Sequence, residues 1–181
     1  SFDSTEEEGM LRVLHSGWLT TGPETLAFEK EFAAFVHTPH ALAVNSASNG
    51  LMLAMEAFGI KEGAKILTSP YTFVSTATSA LHLGGEVVYA DIAADSYSID
   101  PEKVEDCLKK DPSIKAIVPI HIAGNLCDMK ALCSLARRYH VAVIEDAAHA
   151  FPSQTKEGYG GTFGDAGVFS FYATKTITTG E

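Results

Sequence analysis

Basic residues are scarce in this sequence: 13 lysines and arginines stand against 23 aspartates and glutamates, for a net charge of −10. They form no cluster, so nucleic acid and anionic membrane surfaces are disfavoured as partners. No apolar run approaches the roughly 20 residues of a membrane-spanning helix. Cysteine is rare too. Cys107, Cys127 and Cys133 are odd in number and lack metal-ligand spacing, so they read as reduced thiols. The acidic start, Ser1-Phe2-Asp3-Ser4-Thr5-Glu6-Glu7-Glu8, is unlike a signal peptide, and together these features point to the cytoplasm. His121, His140 and His149 share no helical face, and no metal site is expected. Three common nucleotide and hydrolase motifs are missing as well. Gly158-Tyr159-Gly160-Gly161-Thr162-Phe163 lacks the third glycine of the dinucleotide fingerprint, Thr174 stands where a phosphate loop needs glycine before Lys175, and no serine sits in Gly-x-Ser-x-Gly.

What is present is a chain of 181 residues, 46% hydrophobic and 20% charged, enough for a packed core. Ser4-Thr5-Glu6-Glu7 is a capping-box pattern opening a helix to about His15. A second helix is expected from Pro23 to Val36, with Phe28, Phe32 and Phe35 as a core stripe. Then strands alternate with helices. Strands are expected at Ala41–Asn45, Lys65–Thr68, Glu86–Ala90, Lys115–Ile120, Val141–Glu145 and Ala166–Phe171. Helices are expected at Leu51–Phe58, Thr72–Leu83, Pro101 to about Lys109 behind an Asp100 cap, and Asp128–Tyr139. Pro152–Gly164 reads as a Gly-rich hairpin or loop. Such alternation argues for an α/β fold, a mostly parallel sheet covered by helices on both faces. In sheets of this kind ligands sit beyond the carboxyl ends of the strands.

Four stretches fall at such ends and carry matching chemistry. Gly164–Glu181 is a short apolar strand running into a threonine-rich loop that holds Lys175. Partial desolvation there favours the uncharged, nucleophilic amine of a Schiff-base lysine. Val141–His149 delivers Asp146 at the end of a buried strand. Asn45–Leu51 is a small-residue turn opening a helix, where free N–H groups and the positive dipole end suit a phosphate. Ser69–Thr76 places Phe73 on a strand-to-helix loop. An amine, a carboxylate, a phosphate cradle and a stacking ring are the parts that hold pyridoxal phosphate (PLP).

In order and wording these pieces resemble the DegT/DnrJ/StrS-like sugar aminotransferases, PLP enzymes of fold type I. The pairing of Glu145-Asp146-Ala147-Ala148-His149 with Ser170-Phe171-Tyr172-Ala173-Thr174-Lys175 carries the resemblance, which runs from Gly17-Trp18-Leu19-Thr20-Thr21-Gly22-Pro23 to the last residue. It implies that residues 1–181 are a large PLP-binding domain, incomplete at its carboxyl end, with a small carboxyl-terminal domain beyond. It implies Lys175 as the cofactor lysine and Asp146 as the partner of the pyridine nitrogen. Phe73 would lie flat on the ring, His149 near the ring hydroxyl, and Ala47, Ser48 and Ser170 on the phosphate. Where relatives often have Gly-Thr-Ser-Ala-Leu, this chain has Ser46-Ala47-Ser48-Asn49-Gly50, keeping small and hydroxyl residues in register. Trp18 would lie near the mouth of the site. The resemblance further implies a homodimer that moves an amino group from an amino acid, glutamate by family habit, to a nucleotide-linked keto sugar. Two other readings stand beside it: a PLP-dependent sugar dehydratase, against which Lys175 counts because such relatives commonly carry histidine there, and a non-catalytic regulatory protein on the same fold.

Overall fold

The computed structural model describes residues 3–179. Gly180 and Glu181, the end of the expected Lys175 loop, lie outside the described residues. Backbone contacts divide the chain into two compact units, Ser1–Ala43 and Val44–Glu181.

The first unit holds two helices, α1 (Ser4–Ser16) and α2 (Pro23–Val36). The cap of α1 lies one residue earlier than the sequence pattern suggests. The Asp3 carboxylate accepts from Thr5 N–H, and the Glu6 carboxylate accepts from Asp3 N–H. Gly17, in the left-handed region at φ 72°, ends α1. In α2 the expected phenylalanine stripe is only partly inward. Phe28 and Phe32 stack with centroids 5.8 Å apart, but Phe35 is 49% exposed, and the buried positions are Ala33 and Val36. The expected strand Ala41–Asn45 is absent. A short strand exists only through its ladder, and here the Ala43 N–H donates instead to the Glu29 carboxylate at 2.8 Å, leaving Leu42 78% exposed.

The second unit is a five-stranded parallel sheet with helices on both faces, as the alternation demands. In chain order it contains α3 (Ala47–Ala57), β1 (Lys65–Thr68), α4 (Val74–His82), β2 (Glu86–Tyr89), α5 (Pro101–Lys110), β3 (Ile114–Val118), α6 (Met129–Tyr139), β4 (Ala142–Asp146) and β5 (Ala166–Val168). The strand order is β2-β1-β3-β4-β5, every pair parallel. Side-chain alternation sorts the strands' residues into two cores. Ile66, Ala116, Val118, Ile144 and Val168 pack with Leu51 and Met55 of α3 and Ala80 of α4. Leu67, Ile117 and Val143 pack with Val104 and Leu108 of α5 and with Leu132, Leu135 and Ala136 of α6. The expected inward face of α6, Met129, Leu132, Leu135 and Ala136, is buried throughout.

Boundaries shift where pairing partners run out. The strand expected to reach Phe171 stops at Val168, because β5 has β4 as its one neighbour and Val168 pairs with Asp146, the last residue of β4. The strand expected to reach Ile120 stops at Val118, since Pro119 has no N–H to donate; Ile120 keeps a single bridge to Asp146. The Pro152–Gly164 segment does form a small hairpin turn, with Gln154 bridged to Tyr159. With all strands parallel, the loops after β1, β3, β4 and β5 leave from the same edge of the sheet.

Candidate active site

Asp146 closes β4 and points to the face that α3 and α4 cover. It is 4% exposed, and among the described residues no cation pairs with it. Its Oδ2 accepts from the Thr76 hydroxyl at 2.6 Å and its Oδ1 from the Ala148 N–H at 3.2 Å. A buried carboxylate so placed can accept a cation from outside the chain, such as a protonated pyridine nitrogen.

Beyond β5 the chain turns at Tyr172, whose carbonyl accepts from the Lys175 N–H at 2.8 Å. The half-buried Lys175 lines a cavity of about 320 Å³ together with Ser170 and His149. Ala123, Ala148 and Phe151 complete much of its wall. His149 is exposed and Ser170 half-buried. The structure thus brings Lys175, His149 and Ser170 into one cavity. Ala148, which holds Asp146 through its backbone, faces the same space.

Ala47 and Ser48 form the first turn of α3, behind the Ser46 cap, whose hydroxyl accepts from Asn49 N–H at 3.2 Å. Among the described residues the N–H groups of Ala47 and Ser48 have no acceptor. This turn is seated against β5: a Cβ at Gly50 would lie 2.8 Å from Val168. Neither residue is part of the cavity wall, and neither is Phe73. Phe73 is the N-cap of α4 and is 71% exposed. The loop that carries it turns its side chain away from both cores. Trp18 belongs to the first unit. It is 57% exposed, donates its indole N–H to Thr21 O at 3.0 Å, and lines a separate cavity of that unit with Arg12 and Glu24.

Two relationships escaped the sequence reading. One is the Thr76–Asp146 bond; its signal was two hydroxyls at i, i+4, Thr72 and Thr76, opening the helix after β1. The other is a buried hub on the opposite face of β4. Glu145, fully buried, accepts from the N–H groups of Gly161, Phe163 and Gly164 at 2.6–2.8 Å and meets His121 Nε2 at 2.7 Å. Its signal was a charge at the end of an otherwise apolar strand. For His121, burial opposes a charged ring and the Glu145 carboxylate favours one. The hydrogen bonds decide between them. Nδ1 accepts the Cys127 N–H at 3.2 Å, and the Cys127 thiol gives its own proton to Ile120 O. The ring is therefore described as neutral, with its proton on Nε2 toward Glu145.

The donor set suits a PLP-type cofactor: a half-buried amine, a buried carboxylate lacking a cation, a serine hydroxyl, and unpaired N–H groups at a helix start. Among the described residues no group of three or more His, Cys, Asp or Glu is arranged to hold a metal ion. No helix among them is long and apolar enough to cross a membrane.

Comparison with known proteins agrees with the geometry. The chain is 47% identical over 176 residues to the spore coat polysaccharide biosynthesis protein SpsC of Bacillus subtilis, covering 97% of this chain and 45% of that protein. Among solved structures it superimposes on 3-amino-5-hydroxybenzoic acid synthase with a TM-score of 0.93 and 35% identity, over 100% of this chain and 47% of that one. It matches PseC of Helicobacter pylori, an aminotransferase involved in the biosynthesis of pseudoaminic acid, with a TM-score of 0.93 and 33% identity, over 100% of this chain and 48% of that one. The chain therefore spans about half the length of the relatives it matches. A profile of the DegT/DnrJ/EryC1/StrS aminotransferase family covers residues 1–181, and the chain belongs to that family.

Proposed function

We propose that the protein containing this chain is a PLP-dependent aminotransferase of amino-sugar or polysaccharide biosynthesis, acting on a nucleotide-linked keto sugar with glutamate as donor. The observation that carries this reading is the placement of the Lys175 amine, with Ser170 and His149, in one cavity at the sheet edge where the buried, cation-free Asp146 carboxylate ends β4. When bound, the cofactor supplies an electron sink for the carbanion left by loss of the substrate's α-proton. The chain does the rest. Lys175 Nζ would hold the cofactor through its aldehyde carbon and, as a free amine, would take the substrate's α-proton as base and return a proton as acid. Asp146 would keep a proton on the ring nitrogen. The N–H groups of Ala47 and Ser48 and the hydroxyl of Ser170 would hold the phosphate, with His149 toward the ring hydroxyl and Phe73 against the ring.

The names of the relatives support the substrate class: one belongs to spore coat polysaccharide synthesis and another to that of pseudoaminic acid. Exposed apolar side chains on the second unit, Phe73, Val74, Tyr71 and Tyr172, support a homodimer in which a second copy covers this edge. The three unpaired thiols suit a reducing compartment, the cytoplasm.

The test uses the intact protein. Borohydride should trap the cofactor on Lys175, and Lys175→Ala should lose that adduct. Glutamate alone should yield one equivalent of 2-oxoglutarate per site, as in a two-stage exchange. An adduct surviving on another lysine overturns the site. If no amino acid reacts while a keto sugar loses water, the enzyme is a dehydratase instead. A single-subunit mass by light scattering would exclude the dimer.

A further inference from the structure

We propose that Thr76 is a positioning residue for the cofactor: through Asp146, its hydroxyl holds the proton on the ring nitrogen. This rests on the assignment of the cofactor to the site above. Thr76 is fully buried at the start of α4, and its Oγ1 lies 2.6 Å from Asp146 Oδ2 and 2.7 Å from Thr72 Oγ1. A hydroxyl has one proton and an ionised carboxylate can only accept, so the Thr76 proton goes to Asp146. Thr72 must then donate to Thr76. The result is a directed chain, Thr72 to Thr76 to Asp146, in which each bond polarises the next.

Two consequences follow for the carboxylate. First, it cannot rotate: Thr76 holds Oδ2 and the Ala148 N–H holds Oδ1. Second, both of its oxygens already accept from the chain, an arrangement suited to a carboxylate that faces a cation. Asp146 and a ring nitrogen facing it share one proton, and each donor to Asp146 moves that proton toward the ring. The placement is economical in chain terms. Residues 72–76 bear Thr76, the hydroxyl donor to Asp146, with Thr72 behind it, and also Phe73, the N-cap of α4, so one helix start would govern the face of the ring and the partner of its nitrogen. Packing alone would ask only for a residue of threonine's shape at this position. The chain of bonds asks for its hydroxyl.

The intact protein is loaded with cofactor isotope-labelled at the ring nitrogen, and the nitrogen resonance is read by NMR. The wild type should show a protonated ring. Thr76→Val keeps the shape and removes the donor, and its resonance should move toward that of neutral pyridine. Thr76→Ser should restore the wild-type position, and Thr72→Val should give a smaller displacement in the same direction. A Thr76→Val protein with the wild-type resonance overturns the proposal. If Thr76→Val does not load cofactor, Thr72→Val decides in its place: a displaced resonance supports the proposal and an unchanged one overturns it. An unprotonated ring in the wild type overturns the Asp146 assignment itself, and this proposal with it.

Discussion

Glu145 and Asp146 are consecutive on β4, yet their carboxylates meet opposite faces of the sheet. Asp146 shares its face with Ile144 and reaches Thr76 of α4. Glu145 shares its face with Val143 and binds the loop of residues 161–164 and His121. The two-residue period of a strand separates a charge turned toward the candidate site from one that holds the scaffold. Each can therefore be tested apart from the other.

Glu145→Gln puts an amide among donors. Gly161, Phe163, Gly164 and His121 all present N–H groups to the carboxylate, and an NH₂ can accept from none of them. With the site fully buried, the substitution should cost about 3 kcal/mol of stability. Chemical denaturation of the intact protein measures it; wild-type stability would mean that the loop is held by packing instead.

Asp146→Ala removes the partner of the ring nitrogen. We expect some cofactor to remain bound while α-proton removal slows by roughly a thousandfold or more. Stopped-flow reaction with deuterated donor measures that step. Turnover close to wild type would make Asp146 a structural carboxylate.

Gly167→Ala places a methyl group against backbone. A Cβ there would collide with the carbonyl of Gly161, which cannot move aside as a flexible side chain could. Because Gly167 pairs with Glu145 in the β4–β5 ladder, the displacement spreads to the segment leading to Lys175. The expected loss is about 3 kcal/mol, at the upper end for overpacking, read as a lower midpoint of unfolding in urea.

Asp111 should titrate far below an ordinary carboxylate. The Ser113 hydroxyl, the Lys65 ammonium at 2.9 Å and the Ser113 N–H together hold its carboxyl down to about 2. A pKa depressed by folding gives stability that is complete above the unfolded value of about 3.9. That stability is lost as the pH falls through the folded value. A carboxyl NMR titration should place its midpoint near 2, and Ser113→Ala should return it toward the ordinary range. A midpoint already near 4 in the unmodified protein would contradict the assignment.

Much of this arrangement is written locally in the chain. Asp100-Pro101 opens α5, the spacing of Met129, Leu132, Leu135 and Ala136 makes the inner face of α6, and apolar runs make β1 and β4. These are short-range properties, set by caps, periodicity and backbone preference, so sequence alone determined them. That Asp146 falls at the end of one strand and Lys175 beyond another was legible for the same reason. Pairing and burial are different in kind. Residues 41–45 have a strand's composition but find no ladder, β5 ends where β4 ends, and Phe73 caps a helix with its ring exposed. Thr76 and Asp146 lie 70 positions apart, and Glu145 binds a loop 16 to 19 positions beyond it. Nothing local encodes those partners. They meet only when the parallel sheet brings the strand ends to one edge and the pleat sends alternate side chains to opposite faces, which is a decision of the tertiary structure.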